Sequence, residues 1–417
     1  MTTISPAVPF SPVPKENDVS VARFAEFRLA GLGRFAGLLA SRLPDAEAGL
    51  LERGARLAAE LDRPEWTDIA LHPFYSYWWS RLSQAVAAGR AAEVTSLVPE
   101  LSRFLLIPLL RRGDVDLALP PPRAGELRFP GHRRHLRVDR SGALRARATN
   151  GELVLTGHLA VPVAELLDEH RPGPGVLRPA IPGTAVELDS SDPWVGEFFE
   201  VENVTAPSPG RSRDDLEPAA ADVAARTWLG GAVDRLGRAW PEMRREFEDY
   251  VRLVAPFSSQ VRAAFTNVGW QGAVFLRTTV HDDVQDVERL VHETSHLRLN
   301  LVMARTKLYD HDAADRVPSP FRAGLRPIMG LYHGAFVVTR AARALDRVHR
   351  LDGDLAYAQR IPVLVTQVRL ALGTLRRDVR LTPDGAALLD EADAHITDLA
   401  AAYGAADPDE PKIYEEF

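Results

Sequence analysis

In the stretch ERLVHETSHLRLN, residues 288–300, His292 and His296 stand four apart, with Glu293 directly after the first. Four residues of α-helix bring the chain back to within about 40° of the same direction, so both imidazoles leave one face and can share a metal ion. Glu293 is rotated roughly 100° from His292, which puts it beside such an ion rather than on it. Chance would give H-E-x-x-H about 0.02 times in a chain of this size and composition. A metal site is therefore the first expectation.

Two imidazoles leave a coordination shell incomplete. His281 falls on the same helical face but about 16 Å up the axis, too far to share one ion. His311 lies in YDHDAADRVPSP, a loop that also offers Asp310, Asp312 and Asp315. His333 lies in LRPIMGLYHGAFVVTR, near the start of the next predicted helix, with Gly330 and Gly334 on either side where small residues permit close helix approach. His333 is the expected third ligand, and a carboxylate of the 310–315 loop is its competitor.

Three such ligands serve two different reactions. A zinc peptidase keeps one position for water, and the glutamate of the motif takes its proton. A non-haem iron oxygenase keeps positions open for a chelating 2-oxo acid and for dioxygen. Imidazole suits both metals, so ligand type does not separate them. Arginine placement is a weak discriminator, because a 2-oxo dicarboxylate needs a cation for its distal carboxylate. Arg326 and Arg340 lie seven residues before and after His333 and would share its helical face if the helix reached that far. Pro327 marks a first helical turn and places Arg326 at the mouth.

The elements that must hold these residues are readable from spacing. From Val19 to Arg112 apolar residues recur at three- and four-residue intervals, predicting helices. The aromatic run containing Trp78 and Trp79 reads as core packing. LALPPPRAGE stops that pattern, and the text after it reads as strands joined by turns, with Asn150-Gly151 as a hairpin turn. His132 and His135 fall there and read as surface residues. APSPGRSRDD forms a linker, after which helices return. NVGWQGAVFLRTTV has the look of a strand over 268–277, and HDDVQDVERLVHETSHLRLNLVMARTKL reads as a helix capped by Asp282 or Asp283. Three more helices are predicted near 328–350, 356–377 and 384–403. The expected organisation is a proline-rich arm (1–18), a helical region (19–112), a β-rich region (113–206) and a helical catalytic region (207–417). The fold class is α+β, predominantly α-helical.

Composition excludes several functions. The 417 residues carry 50 basic and 57 acidic side chains, a net charge of −7, and so lack the basic excess of a general nucleic-acid binder. Lys15, Lys307 and Lys412 are the only lysines, so nearly all positive charge is arginine, whose fork suits carboxylates. With no cysteine, thiolate zinc sites, iron–sulfur clusters and cysteine nucleophiles are out. The N-terminus lacks a basic region followed by an apolar one, and no apolar run reaches the roughly 20 residues that span a bilayer. A soluble cytoplasmic protein without a membrane partner is expected.

VERLVHETSHLRLN together with RPIMGLYHGAF resembles the HEXXH-motif peptide-modification family, the α-ketoglutarate-dependent peptide β-hydroxylases that act in gene clusters for ribosomally synthesised, modified peptides. The likeness covers roughly residues 265–345, and the histidine–glycine pair after arginine–proline is its more specific part. The resemblance implies Fe(II) bound by His292, His296 and His333, with α-ketoglutarate and dioxygen consumed and succinate formed. It further implies hydroxylation at a β-carbon of a precursor peptide, with Glu293 orienting a ligand or water. Arg326 is the first choice for the cosubstrate carboxylate and Arg340 the second. The peptide would add to the strand at 268–277, where a proline at Val274 should block it. A Zn(II) peptidase and a non-catalytic metal-containing binding protein are the alternatives.

Overall fold

LVAPFS and AVFLR are apolar almost throughout, the pattern of strands covered on both faces. They pair in parallel, and their side chains alternate between two cores. Leu253, Ala255, Phe257, Ala273 and Phe275 enter one core; Val254, Val274 and Leu276 enter the other. The computed structural model describes residues 18–408 except 114, 139–141, 143, 156–158, 205–214, 313–314 and 323. Of the N-terminal arm it thus describes Asp18 alone, and of the APSPGRSRDD linker Asp215 alone.

The chain is α+β and predominantly helical, as expected. The first core is built on α1 (Val19–Leu39), α2 (Asp45–Glu60), α3 (Arg63–Ala70), α4 (Pro73–Ala87), α5 (Ala91–Leu97) and α6 (Leu101–Arg112). Trp78 and Trp79 are buried in it, as core packing requires. Next come β1 (Asp116–Leu119), β2 (Glu126–Phe129), β3 (His132–Arg137), β4 (Leu144–Thr149), β5 (Glu152–Leu155) and β6 (Leu159–Pro162). α7 (Val163–Leu167), β7 (Val176–Leu177), β8 (Glu187–Leu188) and α8 (Pro193–Val204) complete the middle of the chain.

After the exposed β9 (Glu217–Pro218), the second core draws on α9 (Val223–Ala239), α10 (Pro241–Tyr250), β10 (Leu253–Ser258), β11 (Ala264–Phe265) and β12 (Ala273–Arg277). It continues through α11 (Asp283–Met303), β13 (Arg316–Pro318), β14 (Leu325–Pro327), α12 (Ile328–Asp352), α13 (Leu355–Asp378) and α14 (Pro383–Tyr403). The last three helices fall where the spacing predicts them.

The dividing sheet runs β11-β12-β10-β8, with β9 antiparallel to β10. α8 lays Trp194, Phe198 and Phe199 into the first core, while α11 packs its apolar face into the second. One expectation is corrected here. β12 is an interior strand, parallel to β10 and antiparallel to β11, so it is not the edge of its sheet. A strand apolar on both faces belongs inside a sheet. The edge is β11, and residues 268–270 form a short 3₁₀ turn before β12.

Asn150 and Gly151, with φ of 53° and 79°, make the hairpin turn between β4 and β5. A second correction concerns His132 and His135, which are buried rather than on the surface. β3 is the middle strand of the sheet β2-β3-β7, and its histidines face Glu169 (2.7 Å) and Glu126 (3.2 Å). Burial raises the Glu169 pKa, but the hydrogen bond and charge of His132, aided by Arg133, overcome this and bring it to about 2. A folded-state pKa below the unfolded one stabilises above the unfolded value and is lost as pH falls through the folded one. Glu169→Gln is thus expected to cost about 2 kcal/mol at pH 7 and much less at pH 2, read by urea unfolding at both. Among the described residues no helix is long and apolar enough to cross a membrane.

Candidate metal centre

The helix that carries the motif is well founded locally. The Asp282 side chain accepts the Gln285 N–H at 2.8 Å, and Asp283 and Asp286 complement the positive end of the helix dipole. His292 Nε2 and His296 Nε2 lie 3.2 Å apart. Nitrogens bound to one ion at about 2.0–2.1 Å stand about 3.0 Å apart at a right angle and about 3.4 Å apart at the tetrahedral angle. The motif pair has that bite.

α12 brings His333 to the same place. Its ring stacks on that of His296, centroids 5.1 Å apart, with Nδ1 2.9 Å from His296 Nδ1. Its Nε2 stands 3.1 Å from the Met303 sulfur. His333 thus addresses the other ring nitrogen of His296, and among the described residues no three donors have closed on one point. The competing loop is engaged elsewhere: Asp310 pairs with Lys307, and His311 contacts Asp315 and accepts the Arg380 N–H. His281 pairs with Asp286 and stacks on Trp228.

Burial lowers the pKa of all three histidines: His292 to about 3, helped by Arg322 and His333; His333 to about 4; His296 well below its ordinary value. They are neutral at pH 7, the form that binds metals. The His292–His296 nitrogen pair, with its matching bite, fits a divalent ion such as zinc or iron.

The histidines line a cavity of about 410 Å³. Glu293 and Asn300 of α11 share its floor, Ala264 to Val268 form one wall, and Ser319, Phe321, Arg322 and Arg326 face them. Burial lifts the Glu293 carboxyl to about 8, against the pull of a hydrogen bond with Thr266 and the charges of Arg322 and Arg289. Its Oε2 has no hydrogen-bond partner among the described residues.

Arg326 lines the cavity, as expected. Arg340 does not, and that assignment is corrected. Its guanidinium is fully buried, bonded to Glu246 (2.7 Å) and to the Ser295 hydroxyl (3.1 Å). Two helical turns beyond His333 the shared face has passed from the cavity into the helix interface. Sequence reasoning missed Arg322, which lies in aperiodic text just four residues before Arg326. Gly330 has open space where a side chain would begin, so close helix approach does not explain it. At Gly334 a Cβ would stand 2.3 Å from the Phe321 ring, a cavity wall. Gly334→Ala is expected to displace that ring and lower stability by about 1–3 kcal/mol, measured by thermal unfolding. No protein-family model matches the chain, and comparison with curated proteins finds no match either.

Proposed function

We propose that the protein is an Fe(II)- and α-ketoglutarate-dependent oxygenase that hydroxylates the β-carbon of a residue in a ribosomally synthesised precursor peptide. One observation carries this reading. Two arginines, Arg322 and Arg326, line the same cavity as the three histidines. A small dicarboxylate chelated beside a metal needs such a cationic wall for its distal carboxylate, whereas activation of a zinc-bound water does not itself require one. Bound there, ferrous ion with α-ketoglutarate and dioxygen supplies oxidative decarboxylation and abstraction of hydrogen from carbon.

The chain's own residues would do the rest. His292, His296 and His333 would hold the ion. Arg322, whose charge is felt at His292, Glu293 and His296, would hold the distal carboxylate, with Arg326, lining the same cavity, as the second cation. Glu293, protonated near neutrality, would donate a hydrogen bond to a ligand or water beside the ion. Phe321, Met329 and Val338 make part of the wall apolar and limit water. β11 pairs only with β12 among the described residues, and the cavity is lined by the residues of β11 and its continuation. An extended peptide added along that edge would gain main-chain hydrogen bonds and pass over the histidines.

The open Glu293 oxygen beside His292 favours a second reading, a zinc peptidase with Glu293 as base. Anaerobic titration of apoprotein with Fe(II) and α-ketoglutarate separates the two. A weak visible charge-transfer band is expected. Loss of the arginine partner in Arg322→Leu should weaken α-ketoglutarate binding by roughly 30-fold or more, the scale of a truncated buried charge pair. Absence of the band, with tight zinc binding and turnover abolished by Glu293→Gln, would turn the assignment to the peptidase.

A further inference from the structure

A second cavity of about 540 Å³ opens beside the Asn267–Trp270 turn, between α4 and α8. It shares Asn267 with the metal cavity, so a single turn walls both. That turn is firmly held. The Asn267 side chain accepts the Gly269 N–H at 2.8 Å, and Trp270 stacks on Tyr77 with centroids 4.5 Å apart. Its top is apolar and wet, for Val268 is 72% exposed and Val201, on the α8 wall, is 56% exposed. The charges are unevenly spent. Arg81 pairs with both Glu93 and Glu197, while Glu200, at the rim, is exposed and forms no ion pair among the described residues.

We propose that this cavity is a distal subsite for the peptide that is modified at the metal centre, taking a segment with a basic side chain next to a bulky apolar one. The inference rests on the peptide-modification reading above. Residues 264–270 run from the β11 edge straight into the turn, so a chain laid along that edge is led across Val268 into the second cavity. As the chain crosses Val268, Val201 receives the apolar side chain and Glu200 receives the basic one. Recognition here is separate from the chemistry, so the residue modified and the residues recognised need not be neighbours.

The test uses the full-length protein and two fluorescein-labelled decapeptides on a glycine–serine frame, one with Arg-Leu-Arg at its centre and the other with Glu-Leu-Glu. Fluorescence anisotropy is expected to show the arginine peptide binding about fivefold tighter, the worth of a partly exposed ion pair. Glu200→Arg should erase that preference, Glu200→Gln should reduce it, and Val268→Asp should weaken both peptides. These positions are exposed, so unchanged thermal unfolding checks that each variant folds. Equal affinity for the two peptides, or a preference that survives Glu200→Arg, would overturn the proposal. So would concentration-dependent dimerisation through this face without peptide binding. A preference that persists where no Fe(II)–α-ketoglutarate band forms leaves the subsite standing and removes the hydroxylase; a band without any preference does the reverse.

Discussion

Glu246→Ala is expected to cost about 3–5 kcal/mol of folding stability, the toll of removing one partner from a buried ion network. Glu246 of α10 stands between the two helices that carry the histidines. Its Oε2 lies 2.6 Å from Arg298 of α11, and its Oε1 lies 2.7 Å from Arg340 of α12. All three side chains are at most 2% exposed, so no water replaces the lost carboxylate. Arg298 also reaches Asp18, which caps α1 and accepts the Tyr250 hydroxyl, while Arg340 donates to Ser295 inside the motif itself. The alanine variant therefore strands the buried Arg340 cation and leaves Arg298 with Asp18 as its remaining carboxylate. Glu246→Gln, which keeps shape and hydrogen-bonding capacity, should lose less. Domains are stable by only about 5–15 kcal/mol, so the loss will be plain in urea unfolding of the apoprotein; a change below about 1 kcal/mol would show that the network is not what fixes the two helices.

That network also marks where the sequence stops being legible. The motif helix could be read because its cap, its acidic first turn and its apolar period all agree over Asp283–Met303. α12 to α14 were readable for the same local reasons, and His333 followed from needing a third nitrogen near a helix start. Arg340 misled because a seven-residue interval fixes direction around a helix but not depth along it. Its partner, Glu246, is 94 residues away, and no local pattern announces it. β12 misled likewise: its apolar text states burial on both faces, but which strands flank it is a long-range fact. β8 has two residues and no signal of its own, yet it extends the dividing sheet. Arg322 was illegible because it lies in aperiodic text, and only the cavity shows what it faces.

His296→Ala is expected to weaken binding of Co(II), Zn(II) or Fe(II) more than about 100-fold, above the 10–100-fold that loss of a group merely supporting a ligand produces. His296 is the central member of the trio, 3.2 Å from His292 through one ring nitrogen and 2.9 Å from His333 through the other. Its removal leaves two imidazoles that do not touch each other among these contacts. His333→Ala keeps the motif pair and its bite, so a weaker site should persist, with Co(II) absorption changed in shape rather than abolished. Glu293→Gln should leave metal affinity within about tenfold, since Glu293 stands beside the pair and not on the ion. The three variants together distinguish the arrangements that an iron oxygenase and a zinc peptidase share from a site that holds no metal. If all three bind Co(II) as the parent does, the histidines are a packed, neutral cluster in a cavity wall, and the ion is elsewhere. If His296→Ala alone fails and His333→Ala is silent, the third ligand is not His333. Met303, whose sulfur lies 3.1 Å from His333 Nε2, then becomes the next side chain to replace.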